Sequence, residues 1–172
     1  MDLVSAREER LPTQREIPMT TRTATPSSRA HDLTEKCGYA AAALTLLPIP
    51  GSELIAVMPV HVGMVVKLGE IHGVDIDTDS ATHLILRIGA TVGLSLVGSR
   101  LATTAAKFFL PGLGGLISAP FMYASTIAIA RVAELYFVHG DLSEREMRSV
   151  YRDSVKSAKQ DFDPRKARTS GE

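Results

Sequence analysis

Hydrophobic positions along the chain gather into five long blocks, the first four closed by proline or glycine. The first runs from about His31 to Leu47 and contains "YAAAALTLL", rich in strong helix formers. It stops at Pro48 and Pro50, which cannot continue a helix. The second starts near Ser52, a good N-cap, and runs to His72, with Gly73 as the left-handed stop. In "VDIDTDSA" the Asp and Thr residues offer caps for the third block, about Ser80 to Phe108. "LPGLGG" then breaks the chain. The fourth block runs from about Leu113 to Val138 and ends in His139-Gly140. The fifth opens with the capping box Ser143-x-x-Glu146 and continues to about Lys159. No sustained period-two alternation bounded by hairpin turns occurs, so the pattern predicts an all-α bundle of about five helices.

The breaks repeat. Pro50-Gly51 is followed by Pro59, and Pro111-Gly112 by Pro120, at the same spacing. Each half then reads as a helix, a Pro-Gly turn, a helix with an internal proline, His-Gly and an acidic capped restart, at an offset of roughly sixty residues. Pro59 and Pro120 each remove one backbone hydrogen bond and are expected to bend their helices. Two related helix-turn-helix halves, packed about a pseudo-twofold axis, are the expected arrangement. Pro50, Gly51, Pro59, Gly73, Pro111, Gly112, Pro120 and Gly140 are its structural turns and kinks.

Charge divides the 172 residues. Residues 1–36 hold twelve charges, 37–139 hold eleven and 140–172 hold fifteen. The polar, proline-interrupted stretch 1–29 is expected to be a disordered arm, 30–160 the helical domain and 161–172 a frayed tail. Nineteen basic and nineteen acidic residues cancel, so no global surplus of cations speaks for a nucleic-acid partner. A single cysteine, Cys37, excludes an intramolecular disulfide and reads as a small buried hydrophobe in a reducing compartment. "MDLVSAREER" has no apolar core of a secretory signal, and a cytoplasmic placement follows as an expectation.

Candidate chemistry is sparse. No phosphate-binding G-x-x-x-x-G-K-[ST] occurs, and Gly112, Gly114 and Gly115 sit among Phe and Leu, as in an apolar turn. Asp75, Asp77 and Asp79 alternate as in a calcium loop, but Ser80 and Leu86 stand where the glycine and the bidentate glutamate belong. His61 and His72 return to one helix face without a third ligand, and His72 and His139 suit helix C-termini. No G-x-S-x-G surrounds a serine. The sequence therefore predicts no catalytic set, no metal, no cofactor and no enzyme. Gly89-x-x-x-Gly93, with Ser95 and Gly98, is the candidate helix-packing interface, within the chain or between subunits of a homo-oligomer.

Residues 108–130 carry no charge over a length that can cross a hydrocarbon core of about 30 Å. Prolines, glycines, the absence of Trp, and Arg131 and Glu134 in the same helix speak against a simple span. A membrane-associated module, peripheral or integral, and a soluble bundle that buries its apolar faces both remain open at this point. In the fifth helix Met147, Val150, Tyr151, Val155 and Ala158 form one stripe, and Arg148, Arg152, Lys156 and Lys159 lie on other faces. That helix is either a cover for the core or a basic amphipathic helix for anionic lipid or a partner.

From about Ala40 to Phe137 the chain resembles a bacterial domain family of unknown function. That family is found C-terminal to Era-like small GTPases and in YcjF-type inner-membrane proteins. The resemblance rests on "LPIPGSELIAVMPVHVGMVVKLGEIHGVDID", "LRIGATVGLSLVG" and "FFLPGLGGLISAPFMYASTIAIARVAELYF", with Pro48, Met64, Leu68, His72-Gly73 and Pro111-Gly112 at the family's positions. It implies a helical module that couples a GTPase to a membrane or partner; no GTPase domain is read in this sequence, so either the GTPase would act in trans or the role has changed. The expected function is a non-enzymatic, membrane-associated interaction module working with a GTPase-type or other protein partner. The alternatives are a soluble self-assembling structural protein and a carrier of a hydrophobic ligand.

Overall fold

The structure, a computed structural model, describes residues 25–45, 53–97 and 114–169; side chains at 53–55, 94–97 and 114–118 are not described. Most of the expected arm, both Pro-Gly turns (Pro50-Gly51 and Pro111-Gly112), the Ser95 side chain and Gly98 lie outside the described residues. Among those described are six helices and no strand: α1 (Pro26–Leu44), α2 (Glu53–His72), α3 (Thr78–Val97), α4 (Gly114–His139), α5 (Glu144–Asp161) and α6 (Pro164–Thr169).

Local chemistry sets the ends. The first helix starts at Pro26, five residues before the His31 expected from the sequence. Thr25 caps it by accepting from the Ser28 N–H at 3.3 Å, and a proline at the first position has no N–H to leave orphaned. Asp77 caps α3 through the Ser80 N–H at 2.7 Å, which holds its carboxyl below the ordinary range. Ser143 and Glu146 cap each other at the start of α5. The two His-Gly ends use different geometry. Gly73, at φ 72°, closes a double motif, its N–H donating to Glu70 and the Val74 N–H to Gly69. Gly140, at φ 82°, makes a single bond to the Tyr136 carbonyl at 2.9 Å.

Pro59 and Pro120 are each the seventh residue of their helix. Those helices, α2 and α4, run side by side in the same direction: His61 meets Thr126, and farther along His72 faces Glu134. The fourth helix is the centre of the bundle, packed against α1, α2, α3 and α5. The first, third and fifth helices run against it.

Three apolar clusters fill the interior. Val65, Ile85, Ile88, Val132, Leu142 and Met147 join α2–α5. Met64, Leu68, Ala30 and Ala130 join α1, α2 and α4. Tyr39, Tyr123, Ala158 and Ala167 join α1, α4, α5 and α6. Two glycines permit close approaches. A Cβ at Gly38 would stand 2.9 Å from the Tyr123 ring, and one at Gly69 would stand 2.6 Å from Ile76 and 2.9 Å from the Val74 carbonyl.

The stretch read as tail is ordered up to Thr169. Phe162 stacks with Tyr39 at 5.9 Å and meets Tyr123 at 5.5 Å, the Asp163 N–H donates to the Tyr39 hydroxyl, and Lys166 pairs with Glu35. A lone aromatic in a polar tail was the missed signal; burying its ring offsets the entropy of ordering a short helix.

Candidate functional surface

Charge is sorted along the bundle axis. Because α1, α3 and α5 oppose α2 and α4, one end collects the C-termini of α1, α3 and α5 and the N-termini of α2 and α4. In sequence, residues 37–66 carry only Glu53, residues 88–99 no charge and residues 108–130 none. The described halves of α1, α2, α3 and α4 at that end are thus almost free of charge; the charges there stand on α5 and α6 (Arg152, Asp153, Lys156, Lys159, Asp161, Asp163, Arg165, Lys166 and Arg168), and the opposite end holds Asp75, Asp77, Asp79, Asp141 and Glu144. Phe121, 45% exposed, lies toward the uncharged end, with the Lys159 ammonium 5.4 Å from its ring centre. Leu86, on the outer side of α3, is 52% exposed.

Gly89 and Gly93 meet no helix among the described residues. Gly89 is exposed, and a Cβ at either position would find no described atom within 4 Å. A close helix approach among the described residues is at Gly38, where α1 crosses α4. Ala81, Leu84, Ile85 and Ile88 turn α3 inward, and Gly89 and Gly93 fall on the flank beside that buried face.

Four interior polar side chains, His61, Thr126, Ser125 and Tyr151, form one chain. Thr126 donates its hydroxyl proton to the Met122 carbonyl at 2.9 Å, so it accepts from His61 Nε2–H at 2.9 Å; that fixes the neutral tautomer of His61. Burial lowers the His61 pKa from 6.5 to about 4. The Ser125 hydroxyl donates to the same carbonyl at 3.1 Å and is hydrogen-bonded to the Tyr151 phenol, whose pKa burial raises. These groups satisfy one another across α2, α4 and α5.

A shallow, open groove of about 290 Å³ lies between α3 and α4, lined by Ile76, Ser80, His83, Leu84, Arg87 and Tyr136. Its cation is engaged: Arg87 donates to Asp141 at 2.7 Å and to the Leu142 carbonyl at 3.2 Å, tying the α4–α5 turn to α3. The other histidines are scattered. His72 lies 3.9 Å from Glu134, which also pairs with Arg131, and His31 and His139 are exposed. Among the described residues no three His, Cys, Asp or Glu side chains gather in metal-binding reach. Cys37 is half-buried, and burial pushes its thiol up, away from the reactive thiolate.

Ala119–His139, within α4, is by length and composition able to cross a membrane, and less than half of its most apolar window is buried in the bundle. No family model matches the chain, and no solved structure matches it. Among curated proteins the chain is similar to magnetosome membrane protein 22 of Magnetospirillum gryphiswaldense, at 29% identity over 154 residues, spanning 81% of this chain and 78% of that protein.

Proposed function

We propose that this chain is a non-enzymatic helical module that associates with a bacterial membrane and works there with a separate protein partner, a GTPase in trans being the class the sequence resemblance suggests. The observation that carries the membrane reading is the sorting of charge: the described halves of α1, α2, α3 and α4 that converge on one end are nearly devoid of it, the charges there stand on α5 and α6 alone, and exposed Phe121 lies toward that end. A bundle surrounded evenly by water gains nothing from that asymmetry; one end near lipid does. The magnetosome membrane protein to which the chain is similar supports the same reading.

Fractionation of cells expressing the full chain tests it. Pelleting with membranes is the expected result, and release by salt or by carbonate distinguishes surface attachment from insertion. A wholly soluble chain would overturn the reading and leave self-assembly through the exposed α3 side, with Leu86, Gly89 and Gly93, as the better account.

A further inference from the structure

We propose that the outer face of α5 is the surface laid against an anionic bilayer, with the Phe121 ring entering the headgroup layer at its end; this rests on the membrane reading above and names the lipid class it requires. Arg145, Arg148, Arg152, Lys156 and Lys159 follow one another at helical spacings of three or four. At 100° per residue they fall within an arc of about 80°. Met147, Tyr151, Val155 and Ala158 occupy the side packed on the bundle, and Glu146, Asp153 and Asp161 the flank beyond. The chain as a whole is neutral, so this row is a segregation of charge and not a general excess.

The row is poorly explained as a helix-stabilising device. Opposite charges four apart support a helix, and like charges four apart weaken it. Only Arg148 has such support, from Glu144 at 2.8 Å. Arg152 has Arg148 four residues before it and Lys156 four after, and Arg145, Arg152, Lys156 and Lys159 form no ion pair with a described residue. A sheet of phosphate headgroups would relieve that repulsion along the whole row at once. Lys159 also caps the exposed Phe121 ring at 5.4 Å, so the row ends in a cation–aromatic pair suited to the boundary between headgroups and acyl chains. That end is the one toward which the uncharged halves of α1, α2, α3 and α4 converge.

The chain has no Trp, so Phe121→Trp gives a single emitter at the expected contact. The full chain carrying it is titrated with phosphatidylcholine vesicles, and with vesicles containing about one-third phosphatidylglycerol. The expected result is a blue shift and co-sedimentation with the anionic vesicles alone, weakened at least tenfold at about 0.5 M salt. Arg152→Glu with Lys156→Glu should abolish both signals with helical content retained; Arg152→Gln with Lys156→Gln should weaken them and serves if the reversal impairs folding. Equal binding to both vesicle types, or anionic binding that survives both pairs of substitutions, overturns the α5 face and leaves the membrane reading standing. Binding to neither vesicle overturns both, and would turn the face toward an acidic protein.

Discussion

The imidazole of His61 and the hydroxyl of Thr126 lie 2.9 Å apart in the interior, the Nε2–H donating from α2 to a hydroxyl whose own proton goes to the Met122 carbonyl of α4. Among the described residues no second acceptor is there for an added proton's charge, and His61 is 7% exposed. Its folded pKa, about 4, lies below the ordinary 6.5. The unfolded chain therefore binds the proton more tightly between those values. Stability is full above about pH 6.5, falls as pH drops toward 4, and the His61 share of the loss levels off below that at up to about 3 kcal/mol. Urea melts across this window should show that His61→Leu removes this part of the acid sensitivity. A parallel pH dependence in wild type and variant would contradict the assignment.

Gly73 and Gly140 take positive φ, 72° and 82°, and Gly63, inside α2, does not. Valine at either cap should cost about 1–2 kcal/mol, because a β-branched residue resists the left-handed region. Gly63→Ala, where an added Cβ meets nothing within 4 Å, should stabilise by about 0.5–1 kcal/mol. Opposite shifts in thermal midpoint are the expected signature.

At Gly38 the limit is space. The Tyr123 ring beneath it is held by Tyr39 at 4.6 Å and Phe162 at 5.5 Å, so it cannot swing aside when a methyl arrives. Gly38→Ala should cost about 1–3 kcal/mol despite the better helix propensity of alanine. A stabilised Gly38→Ala variant in denaturant titration would mean that α1 and α4 are not packed this closely.

Phe162→Ala should detach α6 from Tyr39 and Tyr123 and lower stability by about 2 kcal/mol, somewhat less than for a fully buried phenylalanine. Hydrogen exchange is the discriminating measurement: amides of 164–169 should lose protection before those of α4. Unchanged exchange would return the segment to the status of a tail.

Gly89→Leu and Gly93→Leu add bulk where no described atom of the chain lies within 4 Å. Both variants should keep wild-type helicity and melt within a few degrees of it, since surface substitutions shift stability by about 0.5 kcal/mol or less. Light scattering after size exclusion reads the other use of this side: a fall in mass with the fold intact would place it between copies.

The helices were legible in the sequence because their signals are local. Gly73, Gly140, Asp77 and the Ser143–Glu146 box act within a turn of their own position, and an all-α bundle follows from them. The start at Pro26 was missed because one good cap, Thr25, was hidden among several similar residues. The row of cations on α5 was visible in outline too, since three- and four-residue spacing is itself the geometry of a helix face. Tertiary structure decided the rest. Sequence spacing places Gly89 and Gly93 on one face but cannot say whether that face turns inward; the apolar side chains of Ala81, Ile85 and Ile88 decided it by burying the face beside it. Nor could spacing pair His61 with Thr126, sixty-five residues away, or Phe162 with Tyr39. Local chemistry fixes where a helix begins and ends; the direction its faces point depends on burial summed over every helix that meets it, and that sum exists only once the bundle has closed.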